Sequence, residues 1–226
     1  MVSGSDPDPD NSREMYERRR LPDIAARWDA RAGDWDRALG IPDCCLNEDD
    51  AYRRFNREVQ RLIARRRQFC AAHGVIDAGC GTGLVLAGVV SAFAWGMGLD
   101  ISPQMIEAAR AKGLANTTFQ VGDCFQLPAL CPRAGAVLSR GVLLSHYGRE
   151  QGQKLLNAAR AALVPGGFLV CDFLNEAARA RQRHAPENKI WFHGKEILAM
   201  ARLAQFGTVT ILGGPRRRAR LLLAET

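Results

Sequence analysis

The chain has 226 residues, 47% of them hydrophobic and 24% charged, with a formal net charge of +7. That is ordinary globular composition, enough for one well-cored domain with a modest appendage and too short for two ordinary domains. No apolar run approaches the length of a membrane span, and the basic balance permits an acidic partner without identifying one.

The N-terminal stretch MVSGSDPDPDNS is acidic and proline-rich, so it cannot act as a signal-peptide apolar core and reads as a disordered tail over residues 1–12. Residues 13–73 read as a helical appendage. Pro22 and Gly33 divide its first part into two or three short helices. The second part, through Tyr52, Phe55, Val59, Leu62, Ile63 and Phe69, keeps helical spacing over one longer amphipathic helix, with Gly74 as its C-cap.

From residue 74 to 226 the pattern changes to strands alternating with helices. Apolar strands read over GVIDAG, within WGMGLDIS, and over TTFQVGD, AGAVLSRG and FLVCDFLN. Helices fall between them, one starting at Pro103 and one stopped by Pro165 and Gly166. Such alternation implies a mostly parallel sheet covered on both faces. The last segment, TVTILGGPRRRARLLLAET, reads as an antiparallel hairpin at one edge.

Seven cysteines, Cys44, Cys45, Cys70, Cys80, Cys124, Cys131 and Cys171, include no C-x-x-C pair. A zinc site is therefore not expected. Reduced thiols in a cytoplasmic protein are the simpler reading. Cys80 and Cys124 fill small-residue slots, not nucleophile positions.

VIDAGCGTG, Val75 to Gly83, follows a strand and opens a helix. A ligand at a helix N-terminus suits that place. A P-loop requires Gly-Lys-Ser/Thr, but Leu84 follows Gly83. A dinucleotide fingerprint requires a sixth-position glycine counted from Gly79, where Leu84 stands. An oxidoreductase binding NAD(P) is weakened by this, not excluded.

The pattern D-x-G-x-G-x-G, from Asp77 through Gly79 and Gly81 to Gly83, resembles the class I methyltransferases that use S-adenosylmethionine. In that family the loop holds the methionine part of the cofactor. A carboxylate at Asp77 suits its cationic end and would repel a pyrophosphate. The resemblance extends over about two thirds of the chain. It implies that Asp100, ending the second strand, binds the ribose hydroxyls, and that Ile101 and Met105 flank the adenine. It places Asp123 near the adenine amino group, the Cys124 N–H at the ring edge and the Ser139 carbonyl near the cofactor amine. The plainer alternatives are Asp100 as a helix N-cap, Asp123 as a turn residue and Met105 as ordinary core. The fold implied is a Rossmann-like, seven-stranded, mostly parallel sheet with an antiparallel terminal hairpin and an N-terminal helical lid.

The methyl acceptor would meet the ends of the fourth and fifth strands. SRGVLLSHYG there lacks the N/D-P-P-Y pattern of enzymes acting on nucleobase amines. His146 is the candidate general base, against a plain helix-start histidine. Tyr147 and Arg140 are weaker candidates; Arg140 suits an acidic substrate or a nearby carboxylate. The long segment from Asn175 to Glu196 holds Arg179, His184, Trp191, Phe192 and His193. Trp191 and His193 are candidates to line the site, with capping of the next helix an equal reading of His193.

Trp28–Asp29 and Trp35–Asp36 resemble the aromatic-Asp helix that closes over the cofactor in small-molecule methyltransferases; anchoring in the core is the alternative for both tryptophans. Arg53, Arg57, Arg61 and Arg65 form one stripe, and Arg216, Arg217, Arg218 and Arg220 crowd the hairpin. Solvated surface is the simpler reading of both, so the expected acceptor is a small biosynthetic molecule. RNA or protein acceptors and an inactive binding scaffold are the alternatives. Monomer and homodimer remain equally open.

Overall fold

The computed structural model describes residues 21–36, 51–141, 143–182 and 189–226. The acidic tail, Cys44, Cys45 and His184 lie outside the described residues. Seven strands form one sheet: β1 Gly74–Ala78, β2 Trp95–Asp100, β3 Thr117–Val121, β4 Ala134–Ser139, β5 Leu163–Leu174, β6 Thr208–Leu212 and β7 Ala219–Glu225. Their order is β3-β2-β1-β4-β5-β7-β6. β1 to β5 run parallel. β7 is antiparallel to β5, and β6 to β7. The sheet is the mostly parallel one expected, with the hairpin at its edge.

The helices are α1 Leu21–Asp29, α2 Ala51–Arg65, α3 Arg67–Ala72, α4 Leu84–Val89, α5 Pro103–Arg110, α6 Leu127–Leu130, α7 Arg149–Ala161, α8 Glu176–Arg179 and α9 Gly194–Leu203. They cover both faces of the sheet, so strand side chains alternate between two apolar layers. Ile76, Leu99, Val137 and Phe173 pack with Leu156 of α7 and Ile197 of α9. Val75, Leu138 and Phe168 pack with Phe55 and Val59 of α2, Leu86 of α4 and Ile106 of α5.

Two expected boundaries differ. The long amphipathic helix is two helices, broken at Arg66, whose φ is −122°. The Arg66 guanidinium donates to the Gly166 carbonyl and lies over the Phe69 and Phe168 rings, at 4.6 and 5.2 Å. A continued helix would not aim it there. Gly74 is not a C-cap; it starts β1. A Cβ at Gly74 would come within 2.0 Å of the Trp95 ring, so glycine serves close packing there.

Pro165 and Gly166 do not stop α7, which ends at Ala161. They lie inside β5, where its register with β4 shifts between Leu163↔Ala134 and Phe168↔Ala136. Gly166 takes φ 75° at this irregularity.

The parallel strands end together at Ala78, Asp100, Val121, Ser139 and Leu174. Because Ala219 pairs with Leu174, the β6–β7 turn reaches the same edge.

Candidate active site

The loop after β1 takes left-handed backbone at Gly79, Gly81 and Gly83, with φ of 74°, 52° and 79°. Only glycine adopts these values without strain. The loop is tied to the end of β2. The Gly79 and Cys80 N–H groups donate to the Leu99 carbonyl at 2.8 and 3.0 Å. The Gly81 N–H donates to Asp100 Oδ2 at 2.8 Å, and the Ser102 N–H to Asp100 Oδ1 at 2.9 Å. Burial pushes the Asp100 carboxyl up, and the N–H groups of Ser102, Gly81 and Ile101 oppose that shift. Asp100 is not the N-cap of α5. Ser102 is, through its Oγ, which accepts from the Met105 N–H at 3.1 Å. Met105 is buried on α5, and half-buried Ile101 lies between Asp100 and the cap.

Asp77 is 1% exposed at the end of β1, and neither carboxylate oxygen has a hydrogen-bond partner among the described residues. Burial pushes its pKa up to about 8; the Asp100 charge adds to the rise and the Arg140 charge opposes it. A buried carboxylate without donors keeps its proton, so Asp77 is largely neutral in the protein alone. A cation brought beside it would draw the proton off.

Beyond β3, Asp123 Oδ1 accepts from the Phe125 N–H at 3.0 Å and caps the turn Cys124–Gln126, the role a turn residue has. The Cys124 thiol is pushed up to about 12 by burial, with the Asp123 charge adding to it and Tyr147 hydrogen-bonded to it. Cys80 is also raised well above an ordinary thiol by burial. Neither is a nucleophile at neutral pH. The Ser139 hydroxyl donates to the Ala78 carbonyl at 2.9 Å, joining the ends of β4 and β1.

His146 ends the single 3-10 turn Leu143–His146 that follows β4. Lys189 Nζ lies 2.7 Å from its Nδ1 and also reaches Nε2. Tyr147 meets the Phe125 ring edge-on at 5.0 Å. Trp191 is buried, its indole N–H has no partner among the described residues, and the Arg179 guanidinium sits 6.0 Å from its ring. Phe192 is wholly core. His193 is exposed at the N-cap of α9, its N–H donating to Glu196 at 3.3 Å. The helix-capping reading describes that position.

The N-terminal segment crosses this edge. Trp28 and Trp35 are both half-buried. Their rings meet at 5.3 Å. The Trp35 indole nitrogen lies 3.6 Å from where a Cβ on Gly81 would sit. Each neighbouring aspartate fixes its tryptophan. Asp29 accepts from the Ser102 hydroxyl and from the Gln104 N–H at 3.1 Å. Asp36 accepts from the Thr82 hydroxyl and pairs with Lys112 at 2.7 Å.

Sequence reasoning named the tryptophans and missed the aspartates' anchors. It also missed Lys189, Ser145 and Asn175. The buried Ser145 hydroxyl accepts from the Leu174 N–H at 2.9 Å, and its carbonyl from the Ile190 N–H at 2.9 Å. Asn175 is buried and donates its amide to the Pro215 and Arg217 carbonyls at 2.8 and 3.0 Å.

Residues 75–167 match the family model described as a methyltransferase domain. The chain has a class I methyltransferase fold. Magnesium protoporphyrin IX methyltransferase from Synechocystis PCC 6803, solved with bound SAH, is similar at a TM-score of 0.73 and 18% identity, over 91% of this chain and 99% of that one. The CcbJ methyltransferase from Streptomyces caelestis is similar at 0.60 and 18% identity, over 75% and 88%. A methyltransferase from Mesorhizobium loti dependent on S-adenosylmethionine matches at 0.60 and 16%, over 74% and 96%. At these identities the likeness is one of fold. No curated protein matches this chain. In the class I frame, the glycine loop, Asp100 and Asp123 stand at the ends of the first three strands, and His146 follows the fourth. No helix among the described residues is long and apolar enough to cross a membrane.

Proposed function

We propose that the chain transfers a methyl group from S-adenosylmethionine to a small-molecule acceptor. The observation that carries this reading is the glycine loop clasped to Asp100, with the Asp77 carboxylate buried near the end of β1 and without a hydrogen-bond partner among the described residues. These residues fit the cofactor. Asp100 accepts from the Gly81 N–H at one oxygen and from the Ser102 N–H at the other, and the two oxygens have further lone pairs to offer a diol. Asp77 offers a carboxyl that a nearby ammonium or sulfonium would ionise. Bound S-adenosylmethionine supplies an electrophilic methyl carbon on a sulfonium.

The chain's own part is positioning and proton removal. Such a transfer is an in-line displacement, so holding the acceptor atom in line provides most of the acceleration. His146 takes the acceptor's proton in this reading, with Lys189 against its ring and Trp28 beside it. Leu21–Asp36 acts as the lid over a core of residues 74–226, keeping water from the reacting atoms. Arg140, Tyr147 and Trp191 stand on the acceptor side. The five cysteines among the described residues are free and buried, which suits the reducing cytoplasm.

Calorimetry tests the reading. S-adenosylhomocysteine binds the wild type, and Asp100→Ala weakens it by about tenfold or more. NADH binding without S-adenosylhomocysteine binding would replace it with an oxidoreductase. An RNA acceptor is the second reading, favoured by the exposed Arg57, Arg61 and Arg65 of α2. Tight RNA binding that falls steeply with salt would promote it.

A further inference from the structure

The two halves of the catalytic edge differ in the charged groups that line them. Around the ends of β1, β2 and β3 stand Asp77, Asp100 and Asp123, with Asp29 and Asp36 brought in by the N-terminal segment; Asp77 is largely neutral and Asp36 is paired with Lys112. Around the end of β5 and the β6–β7 turn stand cations: Lys189 on His146, Arg179 at the end of α8, and Arg216–Arg218 in the hairpin turn, while Arg140, directly after β4, stands between the halves with its charge acting on Asp77. Glu176 on this half pairs with Arg179 at 3.7 Å, and Asp172 is buried inside β5.

The cationic half is built, not scattered. Asn175, 1% exposed, holds the arginine turn against the end of β5: its N–H donates to the Arg218 carbonyl at 2.8 Å, in addition to its two amide bonds to the turn. It also forms a bridge with Phe192, whose N–H donates to the Leu174 carbonyl at 2.9 Å. Ser145 holds the segment carrying Lys189 and Ile190 in the same way. One buried asparagine and one buried serine thus fix the arginine turn, the Lys189 segment and the His146 turn to a single strand end. Within that segment the Trp191 indole N–H is a buried donor with no partner among the described residues. The turn is an open depression lined by Gly214, Pro215, Arg216 and Arg217, and both arginines are exposed.

We propose that this arginine turn and the cations beside it bind an anionic group, carboxylate or phosphate, on the methyl acceptor. The inference rests on the methyltransferase reading and narrows its substrate class. Guanidinium forks match both anions. Cations gathered at the end of β5 and the hairpin turn favour an anionic acceptor on that side.

The test titrates inorganic pyrophosphate, and in a second arm glutarate, into the full chain saturated with S-adenosylhomocysteine at physiological salt. One binding event is expected, about tenfold weaker in Arg216→Ser/Arg217→Ser and unchanged in Arg57→Ser/Arg61→Ser/Arg65→Ser. The substitutions leave the backbone carbonyls that Asn175 holds, and equal melting temperatures of the three proteins check this. The tighter-binding probe identifies phosphate or carboxylate as the group. No binding of either probe overturns the proposal, and so does equal weakening in both variants, which marks a diffuse charge effect. Displacement of pyrophosphate by polyuridylate RNA with a steep salt dependence also overturns it, in favour of a nucleic-acid surface. Failure of S-adenosylhomocysteine to bind is a separate result: it removes the methyltransferase reading and with it the acceptor assignment, while the pyrophosphate arm still reports on the anion site.

Discussion

The Trp28 indole lies 5.8 Å from the His146 imidazole, inclined at 45°. A residue from the helix ahead of the sheet thus reaches the turn after the fourth strand. Trp28→Ala opens that contact to water and frees the imidazole on one side. The expected result is a fall in kcat/KM for the acceptor of about tenfold. S-adenosylhomocysteine affinity changes less than in Trp35→Ala, because Trp35, not Trp28, lies against Gly81. Steady-state kinetics and calorimetry on the two variants separate these effects. Equal losses of cofactor affinity would show that the two rings act as one unit.

The N-terminal segment is fastened by its aspartates. The Asp36–Lys112 pair is partly exposed, with side chains 44% and 26% accessible, so alone it contributes only about 0.5 kcal/mol. Asp29 adds two hydrogen bonds at the start of α5. In the double variant Asp29→Ala/Asp36→Ala, amide exchange over Leu21–Trp35 speeds up by about tenfold or more, with β1 to β5 unaffected. Hydrogen-exchange mass spectrometry reads this directly. Unchanged exchange would mean that the tryptophans alone hold the segment.

The features legible in the sequence are those whose cause is local. Gly79, Gly81 and Gly83 lie within five positions, and each requires positive φ. The apolar strands ending in Asp77 and Asp100 declare themselves by composition. What was not legible depends on partners far along the chain. Asp29 meets Ser102 across 73 residues, and Asn175 meets Arg217 across 42. No periodicity marks either pair. Arg66 breaks a helix whose apolar spacing continues through it, because its partner is the Gly166 carbonyl, 100 residues away. Asp77 was legible as a carboxylate but not as a neutral one, since burial, not sequence, sets its proton affinity.

Asn175 ties the acceptor side together, and its removal should appear first as lost stability. Asn175→Ala deletes two amide donors and leaves the Pro215 and Arg217 carbonyls without them. The expected loss is about 1–3 kcal/mol in urea unfolding. The pyrophosphate affinity proposed for the turn falls with it, because the arginines lose their anchor. A destabilised variant with unaltered affinity would show that the turn holds its shape without Asn175.

Asp77 makes the pH dependence specific. Its pKa of about 8 in the fold exceeds the value near 3.9 of an unfolded aspartate. Between those values the folded chain holds a proton that the unfolded chain has lost, so stability falls as pH rises across the window. Below about pH 4 both states are protonated, and above pH 8 the folded chain carries the full penalty of a buried charge. Asp77→Asn removes the titration. It is therefore more stable than the wild type at pH 8, by on the order of a few kcal/mol, and its stability declines less between pH 5 and 8. Urea unfolding across that range measures the difference. Binding a cationic cofactor beside Asp77 favours its ionised form, so S-adenosylmethionine releases a proton near pH 7. Calorimetry in buffers of different ionisation enthalpy detects that proton in the wild type, and the signal disappears in Asp77→Asn. Binding that releases no proton would place the cofactor's cationic end away from this carboxylate.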